Sequence, residues 1–451
     1  MEFSSLARAV FDSILAHGGY VYIVGGCVRD AVMGIENDHD IDVEVYHLTY
    51  QELYDVLSLF GHVNTFGKSF AIMQLKCLKG YDFALPRQER KTGMRHQDFE
   101  VIIDPKLSIE KAVQRRDLTM NALMYDYKKK MIVDLCHGQD DIANHVIRCV
   151  NEKTFIEDPL RVLRIAQFVS RFEMIVEQRT KQLCHEMAEQ HMLDHLSVER
   201  VYDEYCKILM SPKPSLGFEF LKEIEALPPY LEALTHTHQR LDYHPEGDVF
   251  AHTMLVIDIA ALMKQKTDDP LSFMWSCLLH DIGKPLVTTP EGHAPAHNEA
   301  GVEVFQSVKM LTSKRQRQYI STMIMYHMHL MNMSRNHSSD LKYLRLLKNI
   351  EGKVSMNDLI YISCCDKLGR GRVVQQQYDD FWKFIKDKTT RLGYHAPAAI
   401  VNGYDLLAAG FDEGQYMKEL LDEAYDLQLQ GMDKEMILRS LKKKWKRIES
   451  L

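Results

Sequence analysis

Residues 22–46, YIVGGCVRDAVMGIENDHDIDVEVY, set Asp40 and Asp42 two apart where a strand pattern begins. Alternation along a strand puts both carboxylates on one face and Ile41 and Val43 on the other. Two carboxylates on one face repel unless a cation lies between them, and Mg²⁺ favours one or two carboxylates plus substrate phosphates. Upstream, Gly25-Gly26 lets a phosphate approach the backbone, with the N-terminus of a following helix aimed at it. Arg29 adds positive charge. Asp-x-Asp alone is also what a solvated acidic turn before an ordinary strand looks like. Its place after Gly-Gly-x-Val-Arg-Asp favours a metal-assisted phosphate site.

Such residues need a scaffold. Residues 1 to about 150 alternate strand and helix patterns, with apolar strand-like runs at 21–24, 43–46, 71–78 and 81–85. Thr49-Tyr50-Gln51-Glu52 has capping-box spacing and opens a helix running to Phe60. From 152 to 235 the strand signals give way to amphipathic helices over 159–172 and 198–210, broken at 211–214. Residues 240–390 are helical and histidine-rich, and a last segment begins at the Pro397 loop. An α/β head is expected to precede a long all-helical body.

Composition limits the classes. A chain of 451 residues exceeds one ordinary core, and 46% apolar with 26% charged residues is typical of a soluble globular protein. No run approaches the ~18 apolar residues of a membrane span, and the N-terminus lacks the basic and apolar blocks of a secretory signal. Nine cysteines without a C-x-x-C pair predict reduced thiols in the cytoplasm. A net charge of −8 excludes a surface coated in positive charge for indiscriminate nucleic-acid binding, though not a local basic groove.

The opening stretch resembles the active-site motif of the class II tRNA nucleotidyltransferase and poly(A) polymerase family, and two later stretches extend the likeness. RRDLTMNAL (115–123) is similar to the family's second motif, which implies that Arg115 and Arg116 meet the triphosphate or tRNA, while Asp117 and Asn121 hold the ribose side. EDPLRVLR (157–164) resembles the nucleobase-reading motif, bringing in Asp158, Arg161 and Arg164. Asp82 falls where the wider nucleotidyltransferase fold has a third carboxylate. The resemblance implies a multidomain α+β protein: a nucleotidyltransferase head with a mixed sheet (1–150), a helical neck (151–235), an HD phosphohydrolase domain (236–392) and a helical tail (393–451). VNGYDLLAAG (401–410) is similar to the tail of bacterial members. The implied chemistry is template-independent addition of CCA to tRNA 3′ ends from CTP and ATP, with Asp40 and Asp42 holding two Mg²⁺ ions.

Asp158 and Arg161, three apart, share a helical face. A carboxylate accepts from an exocyclic amine and a guanidinium donates to a ring nitrogen, a pattern that cytosine and adenine both satisfy. Guanine and uracil reverse it, and each mismatch leaves a buried polar group unpaired at ~1–3 kcal/mol. Asp158-Pro159 also spells a helix start, with Asp as cap and Pro in the first position; the two roles are compatible. LPRQERKTGMRHQDFE (85–100) occupies the place of the family's specificity-switching loop, which argues against CC-only addition. An A-adding partial enzyme remains an alternative. Poly(A) polymerase fits less well, because FGKSF (66–70) lacks paired basic residues and no long basic extension follows. The basic end, Lys442 to Arg447, suits a solvated helix terminus.

HPEGDVFAHT (244–253) and LLHDIGKP (278–285) resemble the HD phosphohydrolase superfamily, implying ligands at His252, His280, Asp281 and Asp366. His297 and His327 fall where two-metal members supply further imidazoles; otherwise they are surface or supporting histidines, and His329 is structural. Imidazole-rich ligation suits Ni²⁺, Mn²⁺, Fe²⁺ or Zn²⁺ better than Mg²⁺. The resemblance implies a phosphohydrolase acting on phosphoesters such as 2′,3′-cyclic phosphates at RNA ends. A bifunctional uridylyltransferase also joins such a head to an HD domain, but it would need ligand-sensing βαββαβ modules after residue 390, and that pattern is absent. A phosphohydrolase whose head only binds nucleotide is the third possibility, and intact Asp40 and Asp42 speak against it.

Overall fold

The computed structural model describes residues 1–36, 40–66, 72–91, 99–240, 242, 245–310, 312–370, 375–414 and 416–449. Contacts divide the chain into two units, Met1–Leu227 and Pro228–Leu451. Helix Pro229–Thr235, which the sequence reading placed at the end of the neck, thus belongs to the second unit.

In the first unit the strands are β1 (Tyr20–Val24), β2 (Ile41–Tyr46), β3 (Val63–Phe66), β4 (Ile72–Leu75), β5 (Tyr81–Ala84), β6 (Arg87–Lys91), β7 (Phe99–Ile103), β8 (Met124–Asp126) and β9 (Met131–Val133), with a short parallel pair, Val146–Ile147 and Ile175–Val176, beyond them. Seven of them form one mixed sheet in the order β3-β4-β5-β2-β1-β8-β9. β2 and β5 run parallel, while β1 and β2 run antiparallel. β6 and β7 form a separate antiparallel ribbon. Strand alternation buries Ile41, Val43 and Val45 on one face of β2. Helix Ser5–Ala16, capped by the Ser4 side chain, contributes Val10, Phe11 and Ile14 to the core, and the Phe11 ring lies 6.3 Å from that of Phe83 on β5. The capping box at Thr49 and Glu52 forms as its spacing predicts and starts helix Tyr50–Ser58. Helix Leu160–Phe172 buries an unbroken apolar side, including Val162, Leu163 and Ile165, and packs against Val198–Met210 and Pro214–Glu223.

The second unit is helical. Asp248 caps helix Val249–Met263, and Asp269 with Pro270 starts helix Pro270–Leu279, which is buried at nearly every position around Trp275. These two pack together and against Met356–Leu368. At the far end, Val401, Leu406, Phe411, Leu420, Ala424, Ile437 and Leu441 form a small core of their own.

Two candidate active sites

The sheet register builds the first site. Asp42 on β2 pairs with Val24 on β1 and with Asp82 on β5, and Asp82 pairs on its other side with Gln74 on β4. Register partners share a face, so Asp42 and Asp82 stand side by side. The Gln74 amide donates to Asp82 Oδ1 at 2.6 Å. Gly25, with φ of +75°, ends β1 beside them; a Cβ there would lie 3.4 Å from Asp42 Oδ2 and 3.5 Å from an Arg116 nitrogen. Those are ordinary contacts; what favours glycine here is the positive φ, a conformation that other residues rarely adopt.

A pocket of about 510 Å³ opens over this face. It brings together Gly25, Gly26, Arg29, Asp42, Asp82, Arg115, Arg116, Asp117, Asn121, Asp158, Arg161 and Arg164, every head residue singled out in the sequence except Asp40. The same-face argument for Asp40 fails because β2 begins at Ile41. Asp40 sits one residue earlier, exposed, in a left-handed conformation (φ 58°), where alternation does not apply. The carboxylate that does share the face of Asp42 is Glu44, which holds Arg116 at 2.8 Å and accepts from Tyr46 Oη at 3.0 Å. Burial raises the Asp42 pKa; Arg116 opposes this, while Asp82, Glu44 and Asp40 push it further up. A cation beside Asp42 and Asp82 would relieve that crowding, so the donor set fits Mg²⁺.

Arg29 also departs from expectation. It is 4% exposed, its guanidinium pairs with Asp30 at 2.6 Å and donates to Asn121 Oδ1 at 2.7 Å, and it packs near the rings of Phe168 and Phe172. Its charge is largely matched inside the wall, and its visible effect is to fix Asn121. Asn121 in turn donates to Asp117. Burial would raise the Asp117 carboxyl, but Arg164 at 2.8 Å, Asn121 and Arg161 hold it below its ordinary value.

Asp158 accepts from the Leu160 amide at 3.2 Å, as a helix-start residue does, and meets Arg200 at 3.2 Å. Arg161 donates to the Thr154 and Arg115 carbonyls at 2.8 and 2.7 Å, and Arg115 donates to the Arg87 carbonyl. Both the Asp158 and Arg161 side chains are thus held by the protein itself. Sequence reasoning missed Glu44, Gln74, Arg87 and Arg200. Continuing the alternation from Asp42 would have found Glu44; nothing distinguishes Arg200 from any arginine on an amphipathic helix. Residues 92–98 of the 85–100 stretch and 67–70 of FGKSF lie outside the described residues.

The second site lies where helix Pro270–Leu279 ends. Gly283 lets the turn after Asp281 touch helix His297–Ser307: a Cβ there would fall 2.1 Å from the His297 carbonyl oxygen. That contact brings Asp281 to His297, and helices Val249–Met263, Lys314–Tyr326 and Met356–Leu368 deliver His252, His327 and Asp366. All six side chains are buried. Asp281 is central. His280 Nε2 lies 3.1 Å and His252 Nε2 3.9 Å from its Oδ2, while His297 and His327 approach Oδ1 at 3.4 and 3.8 Å. Asp366 Oδ1 is 3.1 Å from His252 Nε2.

Tautomers follow from the other ring nitrogens. Nδ1 of His280, His297 and His327 faces the carbonyls of Cys277, Ala294 and Ile324 at 2.7–2.9 Å. A carbonyl only accepts, so Nδ1 carries the proton and Nε2 presents a lone pair toward Asp281. Burial and the neighbouring His280 lower the His327 pKa to about 3, which keeps that ring neutral. His280 and His297 have no hydrogen-bond partner for Nε2 among the described residues. Lone pairs converging on carboxylate oxygens are reconciled by a cation, and the ligand atoms group as His252, His280, Asp281 and as Asp281, His297, His327 within 4.8 Å. Burial opposes ionisation of Asp281, but His280 and Lys284, whose Nζ is 2.6 Å away, bring it well below its ordinary value. His329, left structural in the sequence reading, packs on the Tyr326 ring at 4.7 Å.

Comparison with known proteins supports both halves. Three family models match: the poly A polymerase head domain over residues 21–148, the probable RNA and SrmB-binding site of polymerase A over 173–236, and the HD domain over 249–368. The "Multifunctional CCA protein" of Pseudomonas fluorescens is 35% identical over 320 residues, 68% of this chain and 75% of that one. The chain belongs to the multifunctional CCA protein family. The family member from Aromatoleum aromaticum is 39% identical over 282 residues, 61% of this chain and 65% of that protein's length. Among solved structures, the Bacillus stearothermophilus CCA-adding enzyme in complex with CTP has the same fold, with a TM-score of 0.66 at 20% identity over 99% of this chain and 100% of that one. The Thermotoga maritima CCA-adding enzyme complexed with tRNA gives 0.61 at 19% identity, covering 98% and 95%. No helix among the described residues is long and apolar enough to cross a membrane.

Proposed function

We propose that the first unit adds cytidine, cytidine and adenosine to tRNA 3′ ends from CTP and ATP. The observation that carries this reading is the union, in one pocket, of paired carboxylates, a surplus of arginines and a rigid Asp158–Arg161 pair. Asp42 and Asp82 would hold Mg²⁺, with Asp40 as the outlying carboxylate. Bound there, Mg²⁺ supplies activation of the 3′-hydroxyl and neutralisation of the departing pyrophosphate. Arg115, Arg116 and Arg164 orient the triphosphate, and Asn121 with Asp117 positions the ribose. Asp158 accepts from the exocyclic amine of cytosine or adenine, and Arg161 donates to the ring nitrogen. The carbonyls that hold Arg161, and the Arg200 contact to Asp158, limit how far the pair can turn to suit guanine or uracil. Incubation with tRNA lacking its 3′ end, CTP and ATP, followed by sequencing, should yield CCA ends; ends gaining only A would favour the A-adding alternative.

In the second unit we propose a phosphohydrolase acting on phosphoesters at RNA ends, 2′,3′-cyclic phosphates among them. His252, His280, Asp281, His297, His327 and Asp366 would hold Ni²⁺, Mn²⁺, Fe²⁺ or Zn²⁺. Such a metal would supply activation of a water molecule near neutral pH. The chain itself aims the imidazoles through the groups behind their Nδ1 atoms and keeps His327 neutral by burial, and Lys284 with Arg370, 3.4 Å from Asp366, balances the carboxylates. Removing a cyclic phosphate would restore the hydroxyl that the first activity extends. Assays of cyclic phosphodiesterase and phosphatase activity across added metals test this reading. Four domains (1–150, 151–235, 236–392 and 393–451) and a cytoplasmic location complete the proposal.

A further inference from the structure

His252 differs from the other imidazoles of the second site. Those three turn Nδ1 to a main-chain carbonyl alone. His252 Nδ1 also meets a carboxylate, Glu246 Oε1 at 2.9 Å, nearer than the Gly369 carbonyl at 3.2 Å. The Glu246 side chain is 5% exposed. It is placed there by the turn before helix Val249–Met263: Gly247 takes φ of +97°, and its carbonyl accepts from the Gln239 amide at 2.9 Å. The chain thus folds back so that Glu246 stands behind a ring six residues later. Burying a carboxylate is costly unless its charge is used, and a carboxylate behind a ligand imidazole fixes the ring and strengthens its donor nitrogen.

We propose that Glu246 is a positioning residue that makes the His252 side of the centre the tighter of two unequal metal subsites. The inference rests on the reading of this centre as a metal site. On that side, His252 and His280 act with Asp281 Oδ2 and Asp366 Oδ1, two carboxylates, with Glu246 behind. On the other, His297 and His327 share only Asp281 Oδ1 and have neutral carbonyls behind them. Divalent ions therefore fill the two sides in order, the His252 side first.

The test is calorimetric titration of the full-length protein with Ni²⁺ in excess Mg²⁺, which saturates the head. Wild type should bind in two classes, the tighter lost in His252→Ala and the weaker lost in His297→Ala. Glu246→Ala should weaken the tight class about 10–100-fold, the usual cost of losing a partner behind a ligand, and leave the weak class within about twofold. Glu246→Gln, which keeps an oxygen facing Nδ1–H but loses the charge, should fall between. It also stands in if the alanine variant does not fold. Equal weakening of both classes, or an unchanged tight class in both variants, overturns the inference. Absence of any class lost in His252→Ala or His280→Ala overturns the metal reading itself.

Discussion

Seven arginines face five carboxylates across the head pocket, with pairs formed at Arg116–Glu44, Arg164–Asp117 and Arg200–Asp158. In the second centre four imidazoles converge on two carboxylates, and none of the six residues is more than 8% exposed. The head has surplus cations in an open space, so its arrangement suits an anionic ligand that brings its metal along. The second centre has surplus lone pairs in a closed space, so its arrangement suits a metal that stays. The two proposed sites thus differ in what each lacks, and that difference can be attacked one side at a time.

The largest effect should come from Asp42→Ala. Loss of a metal-held transition state worth several kcal/mol corresponds to roughly 10³-fold or more in nucleotide addition. Binding of tRNA, dominated by phosphate contacts, should stay within about threefold, and cyclic-phosphate hydrolysis should not change. Single-turnover addition, filter binding and hydrolysis on one preparation check all three. If hydrolysis falls as well while the fold is intact, the two sites are not independent.

The mirror experiment is His280→Ala with Asp281→Ala. Hydrolysis should drop at least about 100-fold with CCA addition preserved. The second unit should also lose stability, because Lys284 is left buried without Asp281, a change that costs about 3–5 kcal/mol in comparable pairs. Thermal melting followed beside both activities separates the effects; hydrolysis at the wild-type rate in a folded variant would remove the hydrolase reading of this centre.

A smaller effect probes specificity inside the head. Asp158→Ala should relax discrimination against GTP and UTP by about 1–3 kcal/mol, roughly 5–150-fold, whereas Arg161→Ala should impair CTP and ATP together. Incorporation of all four nucleotides is the measurement. Unchanged selectivity in both variants would leave Asp158 only the helix-start contact to Leu160.

What could be read in advance follows the range of the forces involved. Strands β1, β2 and β5, the capping box at Thr49 and the helix over 198–210 are encoded in local periodicity and caps, and they appeared within a few residues of their expected bounds. The six residues that converge in the second centre were legible because each lies in a run that resembles the HD superfamily. Asp40 was misplaced because alternation is counted from the first strand residue, and sequence does not reveal that Asp40 turns left-handed just before it. The burial of Arg29 depends on Phe168 and Phe172, about 140 positions away, and the Arg200–Asp158 contact spans 42 positions. Contacts at that separation leave no local pattern. Glu246 lies within the HPEGDVFAHT run, but its partner is visible only once Gly247 has turned the chain.

The finest test of the contrast concerns the crowding of carboxylates in the head. Asp42 titrates above its ordinary value, chiefly through burial, with Glu44 among the charges that add to it. A proton on Asp42 competes with Mg²⁺, so addition should fail on acidification at a pH above the usual aspartate range. Glu44→Gln removes one neighbouring charge and releases Arg116, which already draws Asp42 down. Both changes act in the same direction, so the acid limb of kcat/KM for CTP should move to lower pH. The rate at pH 8 should change by no more than about 1 kcal/mol, since the Arg116–Glu44 pair is partly exposed. Raising Mg²⁺ should shift the limb the same way in wild type, because metal and proton compete for one carboxylate. A limb that ignores both Glu44→Gln and Mg²⁺ would mean that Asp42 is not the group being titrated.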